Sequence, residues 1–469
     1  MRPPTLEPAP VEIAERSAPG SPAGPAEPGS AIRMPPGRRL PKLLQTAQFA
    51  RSPLESSLAA RRRFGDVWQT QLLTRDTAFV MTSHPDHVKS LMTAAPDDAP
   101  SLTGESPLRP ILGPSSVLTL IGERHMRQRK LLLPPFHGDA VARYVEMIER
   151  VVQRELNDWG VGDTFPLAVR MQAVTLEVIM SGVFGIELGV ARRSPEYRMR
   201  ETIRRFLKAT TTPLEPLAEL QNFGHHEPRG IMKAVLAVVD RRLYAVIRAR
   251  RASAPAERHD ILSLLLQARD EQGRPLTDQE LRDELMTLVL AGHETTANSL
   301  AWTFERLLRT PAAYARLREL VRDGNGDAYI EATIHEGMRV RPVIPAIGRL
   351  VKRPWQLGEY VVPADTAVAI SIVALHHRED VYPDPYTFRP ERFLGDKPGT
   401  YTWVPFGGGI RRCLGATLAM AEQRVVLRAI AARVDLEADD PAPEHPRQRN
   451  VTMIPHRGGR VTVRRKLAV

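Results

Sequence analysis

A single cysteine, Cys413, sits in the frame Phe406-Gly407-Gly408-Gly409-Ile410-Arg411-Arg412-Cys413-Leu414-Gly415, and the other 468 of the 469 residues include no second one. One thiol cannot close an internal disulfide or supply a zinc or iron–sulfur ligand set. The glycine-rich bend lets the backbone approach something bulky and flat. A phosphate loop would carry Gly-Lys-Ser or Gly-Lys-Thr before its helix, and this frame has Cys-Leu-Gly instead. Taken alone, a lone cysteine is usually a small buried hydrophobe. Beside an arginine and a close backbone, one thiolate suits axial ligation of a haem iron, with positive charge and backbone N–H groups keeping the sulfur ionised.

The length is enough for a large core and by itself predicts two or more domains. Hydrophobic residues at 42% and charged residues at 25% are those of an ordinary globular protein. No stretch approaches the eighteen or more continuous apolar residues of a membrane span, and no signal-like segment opens the chain, so a cytoplasmic protein without a transmembrane anchor is expected. The net charge of +11 is compatible with nucleic acid, an anionic membrane or an acidic protein partner. No zinc module or recognition motif supports nucleic-acid binding.

Residues 1–33 are rich in Pro, Ala, Gly, Ser and Glu and read as a disordered tail, with order beginning near Met34. Phe64–Leu72 and Ala78–Met81 read as a β-hairpin. Apolar periodicity predicts helices over 141–159, 167–184, 197–209, 231–251, 258–268 and 311–322. The chain turns β-rich around 360–370, and a last strand is expected near 459–464. Thr277-Asp278-Gln279-Glu280 is a capping box opening a helical pattern that runs to about Leu308. Its middle reads Ala291-Gly292-His293-Glu294-Thr295-Thr296, poor residues for the centre of a buried helix. Small Ala291 and Gly292 would leave room for a flat cofactor. The Thr295 hydroxyl would bond back one turn and Glu294 would relay protons. His293 shares no metal-ligand spacing and reads as a pocket or surface residue.

Phe406, Gly409, Arg411, Cys413 and Gly415 match the F-x-x-G-x-R-x-C-x-G loop, and the chain resembles the cytochrome P-450 family. Ala291–Thr296 is similar to that family's A/G-G-x-D/E-T-T motif. Glu336-Gly337-Met338-Arg339, followed by Pro390-Glu391-Arg392-Phe393, is similar to its E-x-x-R pair and third arginine. The resemblance covers nearly everything from residue 34 onward. It implies a mainly α fold, a triangular prism of helices with small β-sheets, as one domain over 34–469. It implies haem b ligated by Cys413, with Phe406, Gly407, Gly415 and Ala291 beside it and His125, Arg129, Arg349 and Arg411 on its propionates. Glu294 and Thr295 become the acid–alcohol pair, and Glu336, Arg339 and Arg392 a buried structural triad.

The implied activity is that of a monooxygenase using O₂ and two electrons drawn from NAD(P)H through a ferredoxin reductase and an acidic ferredoxin on a basic face. A monomer is expected. The implied substrate pocket is formed by 101–120, 205–225, 288–296, 343–347 and the turn near Met453, and includes Leu108, Ile111, Leu288, Val343, Ile344 and Ile454. Most of these are apolar, which favours a lipophilic substrate. A haem-thiolate enzyme using peroxide or rearranging its substrate, and a non-enzymatic haem protein, stand as the alternatives.

Overall fold

The computed structural model describes residues 20–105, 108–136, 138–186, 194–209, 225, 227–252 and 258–467. One helix organises them. Asp278–Leu308 is 31 residues long, about 46 Å at 1.5 Å per residue. Its start is fixed by the expected capping box: Glu280 N–H donates to Thr277 Oγ1 at 3.2 Å, and Thr277 N–H donates to Glu280 Oε2 at 2.8 Å. Most of its residues are buried.

The helix Leu167–Phe184 packs along it. That segment is long and apolar enough to cross a membrane by composition, but 67% of it is buried inside the protein, which makes it a core helix. Gly292 is the contact point. A Cβ there would lie 3.2 Å from Ile179 Cδ1, and Thr175 Oγ1 donates to the His293 carbonyl at 2.7 Å. The sequence reading gave Gly292 to cofactor space; the structure gives it to helix–helix packing. His293 is likewise buried, and burial pushes its imidazole down to about 4.

The remaining expected helices form as Asp139–Asn157, Pro195–Ala209, Gly230–Ala252, Ile261–Gln267 and Pro311–Arg322. Each boundary lies within a few residues of the apolar periodicity. Small sheets surround this helical body. Val67–Thr70 and Phe79–Thr82 pair antiparallel, as expected, and extend through Thr366–Ser371 to Ala346–Val351. Val434–Ala438, Arg460–Lys466 and Thr164–Pro166 form a second sheet.

Two elements depart from the sequence reading. Ala23–Pro25 pairs antiparallel with Trp355–Leu357, and Arg33 bridges Val361. The folded chain therefore begins well before Met34. Backbone pairing makes this strand, and a Pro-, Ala- and Gly-rich segment has no alternation to announce it. The Pro- and Arg-rich stretch before the last strand also folds, as a hairpin of Pro446–Arg449 and Thr452–Pro455 turned by Asn450 at φ 50°.

Candidate active site

The cysteine loop is built by its glycines. Gly407 and Gly409 hold φ of 66° and 61°, the left-handed region that side chains disfavour. A Cβ on Gly409 would lie 2.0 Å from the Met92 carbonyl oxygen, so this loop packs directly on the helix Pro85–Thr93. Cys413 N–H donates to the Phe406 carbonyl at 2.9 Å and closes the loop. The helix Ala416–Arg433 starts directly after Gly415.

Cys413 retains accessible surface although protein atoms surround it on most sides. Burial pushes its thiol up; the Gly415 N–H and the positive charges of Arg129 and Arg412 act in the opposite direction. Ala291 is exposed in the middle of the mostly buried long helix. Thr295 Oγ1 donates to its carbonyl at 2.6 Å, the back-bond one turn earlier.

The segment 113–120 joins the two halves. Val117 N–H donates to Glu284 Oε1 at 2.8 Å, Ser115 N–H to Asp283 Oδ2 at 2.9 Å, and the Ser116 and Thr287 hydroxyls meet at 2.6 Å. From the other side Arg411 donates to the carbonyls of Val117, at 3.2 Å, and Leu120. Nothing in the sequence motifs marked this polar seam. Its acids are buried, and burial raises both Asp283 and Glu284, Glu284 well above the ordinary carboxyl range.

His125 and Arg129 sit on the helix Gly122–Leu132, and Arg349 lies in the strand Ala346–Val351. Their fields overlap. His125 is lowered to about 3 by burial and by the charges of Arg411, Arg129 and Arg349. Burial holds Arg349 and Arg411 down to about 10. Among the described residues no carboxylate forms an ion pair with any of the four. Arg349 and Arg411 donate only to backbone carbonyls. His125 is therefore neutral, and the cations are Arg349, which is buried, and the half-buried Arg129 and Arg411; such charges without an acid are costly unless an anion joins them. A lone cysteine sulfur, a glycine cradle and these three arginines fit a flat macrocycle carrying two carboxylates.

The charged triad joins the helix Asp327–Val340 to the chain at 376–392. Glu336, Arg339 and Arg392 are all buried. Arg339 Nε donates to Glu336 Oε2 at 2.7 Å and Nη2 to Oε1 at 2.8 Å, while Arg392 Nε reaches Oε1 at 3.1 Å. Arg339 Nη1 also donates to the carbonyls of His376 and Pro385.

Of the pocket residues, Ile111 and Leu288 pack on the main core and Ile344 on the core under the four-stranded sheet. Val343 is buried; its carbonyl accepts Met453 N–H at 2.6 Å, which sets the 343–345 turn beside Ile454. Leu108 immediately precedes the short helix Arg109–Leu112. Residues 210–224, most of the expected 205–225 wall, lie outside the described residues.

The Glu294 carboxylate is held by the hairpin Pro446–Pro455. Its Oε1 accepts Arg449 Nε at 2.8 Å, Arg449 Nη2 at 2.5 Å and Thr452 Oγ1 at 3.1 Å. Arg449 and Thr452 were missed by sequence reading. Only the turn residue Asn450 between them hinted that a hairpin would bring them anywhere.

A mostly helical body, a glycine-built cysteine loop and a long helix with a threonine back-bond at its centre suit a haem-thiolate type of architecture. The chain belongs to the cytochrome P450 family, whose model matches residues 34–463. It is 37% identical over 445 residues to cytochrome P450 135B1 of Mycobacterium tuberculosis, covering 93% of this chain and 92% of that protein. It is 37% identical over 448 residues to cytochrome P450 137 of the same organism, covering 92% of each. The solved structure of cyanobacterial CYP120A1 with bound retinoic acid superposes with a TM-score of 0.79, covering 93% of this chain and 100% of that one, at 24% identity. That likeness is one of fold. Family membership makes the chain a P450-type oxidoreductase.

Proposed function

We propose that this protein is a haem-thiolate monooxygenase that inserts one oxygen atom from O₂ into a lipophilic organic substrate. The observation that supports the reading is the lone Cys413 in its glycine-built loop, with Arg129, Arg349 and Arg411 close enough to act together on His125 and no carboxylate paired with them among the described residues. Haem b, when bound, supplies the oxygen activation, and thiolate donation favours O–O cleavage.

The chain's own residues do the rest. Cys413 would hold the haem iron through its sulfur, with the Gly415 N–H and Arg129 favouring its ionised form. His125, Arg129, Arg349 and Arg411 would hold the propionates, and Phe406, Gly407, Gly415 and Ala291 would border the ring. Thr295 Oγ1 bonds back to the Ala291 carbonyl, and its hydroxyl would take part in proton delivery. Glu294 carries protons to it. Leu108, Ile111, Leu288, Val343, Ile344 and Ile454 would exclude water around an apolar substrate. The presence of the acid–alcohol pair disfavours the peroxide-using and isomerase readings, which can dispense with proton relay.

Electrons would come from NAD(P)H through a ferredoxin reductase and ferredoxin. Arg412 and Arg124 are exposed near the loop and suit an acidic ferredoxin. We read the protein as a cytoplasmic monomer.

The test is the absorption spectrum of dithionite-reduced protein with carbon monoxide, on wild type and Cys413→Ser. A strongly red-shifted Soret band lost in the variant is expected. Absence of haem after expression with ample haem supply, or a band indifferent to the substitution, overturns the reading.

A further inference from the structure

We propose that Ser21 and the strand Ala23–Pro25 form a positioning strap for the cysteine loop: they hold the helix Pro85–Thr93 by its first turn, and the last turn of that helix fixes Gly408 and Gly409 in the loop that carries Cys413. The inference rests on the reading of Cys413 as the haem ligand. It goes beyond that reading, because the strap lies ahead of the residues that the family model matches.

The strap is fastened by its backbone. Ala23, Gly24 and Pro25 pair with Leu357, Gln356 and Trp355. Gly358 N–H donates to the Pro22 carbonyl at 2.7 Å, and Ala26 N–H to the Pro354 carbonyl at 2.9 Å. Without the strap, Trp355–Leu357 would be an open sheet edge. Ser21, just ahead of the strand, grips the first turn of the helix Pro85–Thr93. Its N–H donates to Asp86 Oδ2 at 2.8 Å, and its hydroxyl meets His87 Nε2 at 2.9 Å. His87 Nδ1 meets the Thr82 hydroxyl at 2.7 Å. Burial keeps this imidazole neutral at pH 7, so it donates to one hydroxyl and accepts from the other. Both ring nitrogens are thereby satisfied.

The helix is nine residues, about 13 Å, from one contact to the other. Its middle is held by the same sheet. Trp355 Nε1 donates to Ser90 Oγ at 3.4 Å, and Val88, Leu91 and Met92 share a buried core with Trp355 and Leu357. Its last turn meets the cysteine loop with no side chain between. A Cβ on Gly408 would collide with Met92 Sδ, and one on Gly409 with the Met92 carbonyl oxygen. Gly409 is in turn tied to the cysteine: its carbonyl accepts Arg412 N–H at 3.1 Å, and Cys413 is the next residue. Interiors packed this closely transmit small shifts. Leu91 and Met92 also line a cavity with His125, Arg349, Ile410 and Arg411, so the helix end borders the groups proposed to hold the propionates. Loosening Ser21 therefore reaches the cysteine loop and that cavity together.

The experiment uses the haem-loaded, full-length protein as wild type, Ser21→Pro, Ser21→Ala and Ser21→Thr. Proline removes the N–H and the hydroxyl at once, and residue 21 already precedes Pro22, so an extended backbone is expected there. Alanine removes the hydroxyl alone, and threonine keeps both groups. The carbon monoxide spectrum is recorded first. Amide hydrogen exchange is then followed over 85–93, over 406–413 and, as a remote control, over 434–438. Haem loss is timed by transfer to excess apomyoglobin. In Ser21→Pro, exchange in the first two segments and haem loss are each expected to be faster by about tenfold, the effect of one or two hydrogen bonds. Ser21→Ala is expected to fall between, and Ser21→Thr and the control segment to match wild type. Faster exchange confined to 85–93, with haem loss unchanged, makes Ser21 an anchor of that helix only and overturns the proposal alone. Faster exchange in all three segments assigns the effect to global stability and overturns it as well, as does no change in any readout. An unshifted carbon monoxide band in wild type overturns the reading of Cys413 and the proposal with it.

Discussion

The backbone N–H of Val404 donates to His376 Nε2 at 3.0 Å, and the His376 carbonyl accepts Arg339 Nη1 at 2.8 Å. One buried histidine thus links the charged triad to the chain that leads into the cysteine loop. Burial lowers His376 to about 3, so it is a neutral acceptor at pH 7. His376→Leu leaves the Val404 N–H unsatisfied and is expected to cost about 1–3 kcal/mol. Urea unfolding measures this. His376→Gln, which retains an acceptor, recovers part of the loss; equal losses in both would assign the effect to packing.

The triad itself predicts a larger effect. Glu336→Gln strands two buried guanidinium groups, a change that costs about 3–5 kcal/mol. The expected outcome is little soluble protein and weak haem retention. Glu319→Gln in the exposed pair with Arg316 changes stability by no more than about 0.5 kcal/mol and serves as the control.

Much of this was readable because the signals are local. The capping box places the long helix, alternation places the 67–82 hairpin, and the spacing of Glu336 and Arg339 puts both on one helical face. Other features were hidden because their cause is distant in sequence. Ala23–Pro25 becomes a strand through backbone pairing with residues more than three hundred positions later. Gly292 looked like open space until Ile179 packed against it. Arg449 lies 155 residues from Glu294, and no periodicity ties an arginine in a Pro-rich stretch to an acid in a helix. His376 carries no motif; its role exists only once Val404 arrives beside it.

Thr295→Ala removes the hydroxyl that bonds Ala291 and leaves the helix its ordinary ladder. Alanine is the better helix former, so stability is expected to hold within about 1 kcal/mol. Proton delivery loses its last carrier. Peroxide released per NADPH oxidised is expected to rise severalfold, measured with ferredoxin and reductase in excess. Unchanged stoichiometry would remove Thr295 from the relay.

Acid sensitivity follows from buried neutral histidines. His87 and His293 are held at about 4 and His376 at about 3, each chiefly by burial. Above pH 6.5 neither the folded nor the unfolded state protonates them. Below it the unfolded chain takes up protons that the folded chain refuses. Stability therefore falls as pH drops from 6.5 toward 4, by up to about 1.4 kcal/mol per pH unit for each histidine. Urea midpoints at pH 7 and pH 5 measure the loss, and His87→Gln should shrink it.

Glu422 works in the opposite direction. It is buried in the helix Ala416–Arg433, its Oε1 has no hydrogen-bond partner, and burial alone raises it to about 8. Below pH 4.5 both states hold the proton. Above that the unfolded chain ionises while the folded chain keeps its proton, so stability declines from pH 4.5 to 8 and the full penalty stands beyond. Glu422→Gln keeps the shape and removes the ionisation. It is expected to leave unfolding at pH 4.5 nearly unchanged and to stabilise the protein at pH 8 by about 1–3 kcal/mol. The comparison of urea midpoints at those two pH values decides it. An equal effect at both would mean that the substitution acts through packing, and no gain at pH 8 would mean that the folded state accommodates the charge.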